Sequence, residues 1–496
     1  MSTETELLAA VLARPDEDTP RLAYADWLDD HADSLAGRDP KEARARAELI
    51  RLQIACEGRD DDPDLADARD RAALLLQRHY EKWRPKARIA GTSRDWDFFR
   101  GFAERPLVKD DFPEVAEQLL AIAPVRRLRL YLKPETILSY AACPYLQRIR
   151  ALDLNLWGTW HSVGSVSLLL VSPYLAELRE LGLPRAENDA HTLARTVAES
   201  ESLVVLDQLN FQERMLSEAA AVELARAKRL RPRRLTNHGS QLNDGGAMAL
   251  AASPLLSRLE VLSLRRCRIG PAGAKALVES PHLGLLWKFD IGGNTLGREC
   301  ITALANSSRF VALRSLNLGG TGIEQHGVAA LASSTNLRNL RQLWLWDNRL
   351  RAGAARAIAE GVALTRLHEL NVDRNGIGDG GAAHLASSPH LCSLRRLSLE
   401  KCSIKEVGAK ALAEGTAFRA LTHLDMGENK IGDVGAAALA QGHFPELREL
   451  AIANCGIGDA GFVALARSPL LANVEVLEID GNRITDVGAK AQLKSP

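Results

Sequence analysis

Twelve histidines and seven cysteines are scattered through this 496-residue chain, and their spacing builds no catalytic or metal centre. The strings that carry such chemistry, H-E-x-x-H, G-x-S-x-G and the phosphate-binding G-x-x-x-x-G-K-[ST], are all missing. Gly378-Asp379-Gly380-Gly381 and Gly292-Gly293 resemble phosphate cradles only in isolation, because both fall in turns that recur along the chain. Cys267, Cys402 and Cys455 share one position of that recurrence, where a small buried side chain is wanted, and a buried thiol is a poor nucleophile. We therefore expect no enzyme, no cofactor and no metal. The chemistry that remains is recognition. Trp344 and Trp346, two residues apart and followed by Asp347, combine large apolar area with an indole donor.

Composition agrees. Sixty-three basic and sixty-three acidic residues cancel, so the surplus cation that a general nucleic-acid binder needs is lacking, and nucleic acid is not the expected partner. Arg226–Arg234 is the most basic run. It is read as a solvated helix end, where the helix dipole favours cations. No stretch approaches the roughly 18 apolar residues of a membrane span, and Met1–Trp27 lacks the basic start and apolar run of a secretory signal. The cysteines are odd in number and form no C-x-x-C pair, which fits reduced thiols. The expectation is a cytoplasmic protein that touches no membrane.

What must position the tryptophans is a repeat. From Cys267 to Asn482 the string L-x-x-L-x-L-x-x-(N/C/T)-x-(I/L) occurs nine times, with ninth positions Cys267, Asn294, Thr321, Asn348, Asn375, Cys402, Asn429, Cys455 and Asn482. They lie 27 residues apart, except for 26 between Asn429 and Cys455. This period marks an α/β leucine-rich-repeat solenoid. In the copy from Leu421, Leu424 and Met426 point inward from a short strand while His423, Asp425 and Gly427 point outward. Asn429 turns the chain, its amide free to bond neighbouring coils. Asp433 is read as the N-cap of the helix that follows. Helices about 10 Å wide against strands about 4.8 Å apart bend such an array into a horseshoe, with its parallel sheet concave and its helices convex.

Weaker copies run upstream at Leu235, Leu206, Leu178–Leu183, Leu152–Leu154 and Leu128–Leu130, giving roughly fourteen coils. Residues 1–85 do not repeat. They read as a small all-α domain with helices around Leu7–Leu12, Leu22–Leu28, Ala47–Ile54 and Leu65–Trp83, and with Asp29–Arg46 and Asp60–Asp64 as loops. The expected division is 1–85 helical, 86–124 linker and cap (with Trp96, Phe98, Phe99 and Phe102), 125–240 irregular repeats and 241–496 regular 27-residue repeats.

The strings typified by Leu421–Ala440 resemble ribonuclease-inhibitor-like leucine-rich repeats, including those of NLR receptors and RanGAP. The N-terminal string Arg21-Leu22-Ala23-Tyr24-Ala25-Asp26-Trp27-Leu28, with Ala47–Gln53, resembles the bacterial repeat-companion domain of planctomycetes and myxobacteria. These likenesses imply a bacterial interaction protein and carry no chemistry of their own. Within the N-terminal string, Trp27 reads as core, and Asp26 as a partner for Arg21 or Arg51.

The outward strand columns then give the candidate site. Trp344 and Trp346 are its anchors, with Asn317, Asn371 and Asp425 alongside, and Asp347, Asp373, Arg374, Glu400 and Lys401 form a mixed-charge patch. Glycines 292, 293, 319, 320 and 427 leave a shallow depression beside them. Either a protein partner uses the two indoles, or they pack within the chain against Arg374 or another long side chain. The function expected is a non-catalytic protein–protein interaction scaffold. The alternatives are regulation of an enzyme such as a GTPase, or weak self-association through the C-terminal edge strand Val474–Ile479.

Overall fold

A computed structural model describes residues 3–35, 37–59, 62–109, 112–133, 136–156, 163–184, 190–211 and 216–488. Asp60 and Asp61 of the acidic run, and the last residues Gln492–Pro496, lie outside the described residues. The chain divides into two compact units, Met1–Asn237 and His238–Pro496.

The first unit opens with four helices, α1 (Glu4–Ala13), α2 (Thr19–His31), α3 (Pro40–Cys56) and α4 (Ala66–Trp83). A hairpin of β1 (Thr92–Phe99) and β2 (Phe102–Val108) follows, and then α5 (Phe112–Ile122). Repeating coils come next: β3 (Arg127–Leu132), α6 (Ile137–Ala141), β4 (Ala151–Leu156) and α7 (Val163–Leu170). The last of this unit are β5 (Glu180–Leu183), α8 (Ala190–Glu199), β6 (Gln208–Phe211), α9 (Glu218–Ala225) and β7 (Arg234–His238).

The Asp29–Arg46 loop expected from the sequence is a misreading. Helix α2 runs to His31, and α3 begins at Pro40 with Asp39 as N-cap, its carboxylate accepting from the Lys41 N–H at 2.9 Å. Proline at the first helical position forfeits a donor that has no intrahelical acceptor anyway. The helices share a core of Val11, Tyr24, Ala25, Leu28, Ala43, Ala47 and Ile50, completed by Phe102 from the hairpin. Asp26 pairs with Arg51 at 2.7 Å, while Arg21 turns inward to Glu104 of β2. Strand β2 passes from antiparallel pairing with β1 to parallel pairing with β3.

The second unit carries the regular coils. Its strands are β8 (Val261–Arg265), β9 (Lys288–Asp290), β10 (Ser315–Asn317), β11 (Gln342–Trp344), β12 (Glu369–Asn371), β13 (Arg396–Ser398), β14 (His423–Asp425), β15 (Glu449–Ala451) and β16 (Val476–Glu478). Helix α10 (Asn243–Ala251) precedes β8, and one helix follows each strand from β8 to β15: α11 (Pro271–Glu279), α12 (Gly297–Asn306), α13 (Gln325–Ala332) and α14 (Ala352–Ala359). The series continues with α15 (Gly378–Ala386), α16 (Glu406–Glu414), α17 (Gly432–Ala440) and α18 (Asp459–Ala466). All pair in parallel with one register, so that Leu316, Leu343, Leu370, Leu397 and Leu424 align across β10–β14. This is the leucine-rich-repeat solenoid fold that the period requires. Each coil from β8 to β15 buries several Leu or Ile side chains completely, at about 1.5–3 kcal/mol each.

Three hydrogen-bond ladders join successive coils of this unit. At the turn, the Asn375 carbonyl oxygen accepts from the N–H groups of Asn348 and Leu350, both at 2.9 Å, and its amide nitrogen donates to the Leu345 and Val372 carbonyls. Asn294, Asn348, Asn429 and Asn482 repeat the pattern. Cys402 and Cys455 occupy the same column and offer their thiols to the Val372 and Met426 carbonyls. Burial pushes the two thiols up to about 12 and about 11.

The second ladder corrects the sequence reading. Asp433 lies inside the first turn of α17 and does not cap that helix; Ile431 holds the N-cap position. Its carboxylate instead accepts from the N–H groups of Gly458 and Gly461, at 2.6 and 3.0 Å, and so caps α18 of the next coil. Asp244 and Asp379 cap α11 and α16 in the same way. A Cβ on Gly461 would collide with Asp433, so glycine at that position makes the room the cap needs. The third ladder sits at the helix C-termini. There Ser280 and Ser388 donate to the Ala251 and Ala359 carbonyls of the preceding coil, each at 2.6 Å.

Asn375→Ala leaves the buried Asn348 and Leu350 N–H groups unpaired, and should cost about 2–4 kcal/mol, whereas Asp433→Ala should cost only about 1 kcal/mol. Urea unfolding followed by circular dichroism measures both. A loss below about 0.5 kcal/mol for Asn375→Ala would refute the role given to the ladder.

Candidate partner-binding face

The strand register places Ser263, Asp290, Asn317, Trp344, Asn371, Ser398, Asp425, Ala451 and Glu478 in one column on the face away from the helices. The face changes character along its length. Ser263, Asp290 and Asn317 are buried, whereas from Trp344 onward the column is half-buried or exposed.

Both tryptophans are half-buried and engaged within the chain. The Trp344 indole N–H donates to a Glu369 carboxylate oxygen at 2.7 Å, and Gln342 donates to the other oxygen, also at 2.7 Å. Trp346 lies across Gly319 and Gly320, where a Cβ on Gly319 would fall inside the indole ring. The depression expected at these glycines is thus filled by Trp346 itself. The Arg265 guanidinium stands 5.9 Å from the Trp346 ring centroid, within cation–π range. The long side chains that hold the indoles are therefore Glu369 and Arg265. Arg374, the partner considered from the sequence, pairs with Glu400 at 2.9 Å.

Asn317, Asn371 and Asp425 share a local task. Each turns its side-chain oxygen to the N–H two residues on, at 2.9, 3.1 and 2.8 Å, closing the turn after its strand. Asp373 is held harder: one carboxylate oxygen accepts from the Ser398 hydroxyl at 2.5 Å and the Glu400 N–H at 2.8 Å, and the other accepts from the Asn371 amide at 2.6 Å. Burial pushes the Asp425 carboxyl above the usual range, helped by the like charges of Asp373, Glu400 and Glu478 and opposed by the Gly427 N–H.

Asp347, Arg374 and Lys401 form an exposed column of their own, one residue before each ladder position. All three have left-handed backbones, with φ of 52°, 57° and 55°. Gly293 and Gly320 hold the equivalent places in earlier coils. The left-handed region costs a non-glycine residue about 1 kcal/mol, so these coils keep charged side chains where glycine would be more stable. With Asn375, Gly376 and Ser403 the three border an open hollow of about 400 Å³, and Lys401 reaches Glu428 at 2.9 Å.

The sequence reading turned His423 outward but left the rest of its column, and His423 itself, out of the site. Glu369, Arg396, His423 and Glu449 lie two residues before the mid-strand positions, on the same face. With Asn371, Ser398, Asp425, Ala451 and Glu478 they line a depression of about 270 Å³ across β12–β16. His423 stands 3.3 Å from Glu449 and 2.8 Å from the Thr422 hydroxyl. The period-two alternation of strands was the signal that could have found this column.

Among the described residues, no three His, Cys, Asp or Glu side chains group closely enough to hold a metal ion, and no helix is long and apolar enough to cross a membrane. Comparison with known proteins finds a family described as Leucine Rich repeat at residues 257–278, 364–386, 390–413, 419–440, 445–466 and 471–491. Curated protein sequences give no match. Among solved structures the chain is similar to an internalin, InlF, of Listeria monocytogenes, at 18% identity and a TM-score of 0.39 over 73% of this chain and 93% of that one. It is also similar to the Rad7–Elc1 complex of yeast, at 17% identity and a TM-score of 0.46 over 72% and 85% of the two chains. Leucine-rich repeats are interaction scaffolds in general.

Asp347→Gly should stabilise the chain by about 0.5–1 kcal/mol through relief of the left-handed backbone, read as a higher urea midpoint. Gly319→Ala should expel the Trp346 indole and red-shift tryptophan emission. An unchanged spectrum would show that the ring does not rest on that glycine.

Proposed function

We propose that this protein is a non-catalytic scaffold that holds a protein partner on the outward strand face of its second unit. The observation that carries the reading is the depression across β12–β16. It is open and lined by charged and hydrogen-bonding side chains, and the coils of β11–β13 carry a second open hollow bordered by Asp347, Arg374 and Lys401 on strained backbone. Strain retained at exposed charged positions is what selection for binding leaves behind when stability alone would favour glycine. The tryptophans stiffen this face from beneath, since Trp344 fixes Glu369 at the rim, and they offer a partner only their uncovered edges. Asp373, Arg374, Glu400 and Lys401 set register, Asp373 through its hydrogen bonds to Ser398 and Glu400 of the next coil and Arg374 through its ion pair with Glu400. The N-terminal helices are read as a repeat-companion module of a cytoplasmic bacterial protein.

Two variants test the face. Ser398→Arg with Ala451→Arg fills the depression while leaving the buried leucines and ladder asparagines untouched. A partner captured by the wild type should lose at least tenfold in affinity. Trp344→Ala with Trp346→Ala should weaken the same partner by about 2–4 kcal/mol. A partner held equally by wild type and both variants would place binding elsewhere on the chain.

A further inference from the structure

Charge is divided unevenly between the two ends of the strands in the second unit. The stretches that lead into β10–β14 are residues 307–315, 334–342, 361–369, 388–396 and 415–423. Together they hold eight arginines, no lysine and a single carboxylate, Glu369. That carboxylate already accepts from Gln342 and from the Trp344 indole, each at 2.7 Å. The turns that leave the same strands, residues 318–324, 345–351, 372–379, 399–406 and 426–433, stand near balance with eight acidic and six basic side chains. The cationic surplus is thus confined to the entry rim.

Backbone pairing lines part of this set up. The Arg314 carbonyl accepts from the N–H groups of Arg341 and Gln342, at 2.7 and 2.9 Å, and the Arg341 carbonyl from those of His368 and Glu369 at the same distances. The His368 carbonyl accepts in turn from Arg395 and Arg396, at 2.8 and 2.9 Å. Arg314, Arg341, His368 and Arg395 therefore stand in file at strand spacing, about 4.8 Å. Beside them Arg309, Arg338, Arg366 and Arg419 are exposed, and among the described residues none of these four forms an ion pair. Arg366 donates to the neutral Asn339 side-chain oxygen at 3.1 Å. Like charges on neighbouring strands repel, so the stability of the coils gives no reason to gather them.

We propose that this strand-entry rim binds an acidic, partly apolar segment of a protein partner. The proposal names the chemistry of the partner and rests on the reading of this unit as a protein-holding scaffold. Arginine without lysine suits carboxylates, because a planar guanidinium meets a carboxylate through two parallel hydrogen bonds and an ammonium does not. Three observations favour a protein segment over nucleic acid. Val311 and Val362, in the same stretches, are 48% and 52% exposed, and offer apolar contact that a phosphate backbone does not use. The aromatic rings of these stretches, Phe310 and Phe418, are buried, so unpaired bases find no stacking platform. The chain as a whole carries no net charge, so no long-range field gathers a polyanion.

Fluorescence anisotropy with the full chain tests the rim, using a labelled peptide of repeated Glu-Glu-Val and, as the competing class, an oligothymidylate of equal charge. The peptide should bind, weaken as salt is raised, and bind more tightly than the oligonucleotide at equal salt. Arg338→Gln with Arg366→Gln and Arg419→Gln, all at exposed positions, should cost the peptide about tenfold in affinity. Ser398→Arg with Ala451→Arg, which fills the β12–β16 depression, should not weaken it. A wild type that does not bind the peptide overturns the rim whether or not the variants fold, and leaves the scaffold reading to the captured partner. Tighter binding of the oligonucleotide overturns it in favour of nucleic acid. Unchanged affinity in the arginine variant, or a loss in the Ser398/Ala451 variant, overturns the location.

Discussion

An asparagine amide, present at the turn of five of the nine regular coils, is the interaction on which the second unit depends. When the chain leaves the strand it strands backbone donors and acceptors in the interior, where an unpaired group costs about 1–3 kcal/mol. Asparagine side chains of the same coil and of the next one reach them. The Asn375 side chain supplies two acceptances and two donations at once, to its own coil and to the one before. The leucine core is stacked in register because this pairing allows only one offset between neighbours. Where cysteine or threonine replaces asparagine, as at Cys402 and Thr321, the next asparagine still satisfies its N–H and the smaller side chain donates only to a carbonyl.

The outward face rests on that frame and departs from its economy. Over β8–β10 the column is closed by Ser263, Asp290 and Asn317. From β11 onward it opens, and the left-handed position after each strand, held by Arg266, Gly293 and Gly320 in the three coils before, is held by Asp347, Arg374, Lys401 and Glu428. Several charged side chains there answer one another across coils, Arg374 to Glu400 and Lys401 to Glu428. Exposed pairs of this kind contribute at most about 1 kcal/mol each, so cohesion of the unit does not explain them. Their positions on an open, strained rim are easier to understand as recognition.

What could be seen in the sequence was whatever repeats. The 27-residue period exposed the fold, the strand columns and the asparagine ladder, because each is copied in coil after coil. The Asp433 cap escaped because its partner lies 25–28 residues away, and a local rule assigns an aspartate before a helix to that helix. Helix α3 was cut short because the polar Pro40–Arg46 segment hid a Pro-at-N1 start. Trp346 looked available because strand alternation gives the direction of a side chain and not what lies beneath it. Arg21 and Glu104 belong to separate, unrepeated segments, and no spacing rule joins them.

The forward-reaching aspartate cap has a consequence for how such a chain can change in length. Asp379 belongs to one coil and serves the helix of the next, with Gly408 cleared to receive it. Each coil is thus completed by its neighbour, and the natural module is a reading frame with no fixed start. Duplication or loss of any whole 27-residue stretch, cut at any point, leaves every donor facing an acceptor. A change of a few residues breaks three ladders together. Coil number is free to drift, and period moves little: the one 26-residue coil, between Asn429 and Cys455, still keeps its aspartate cap.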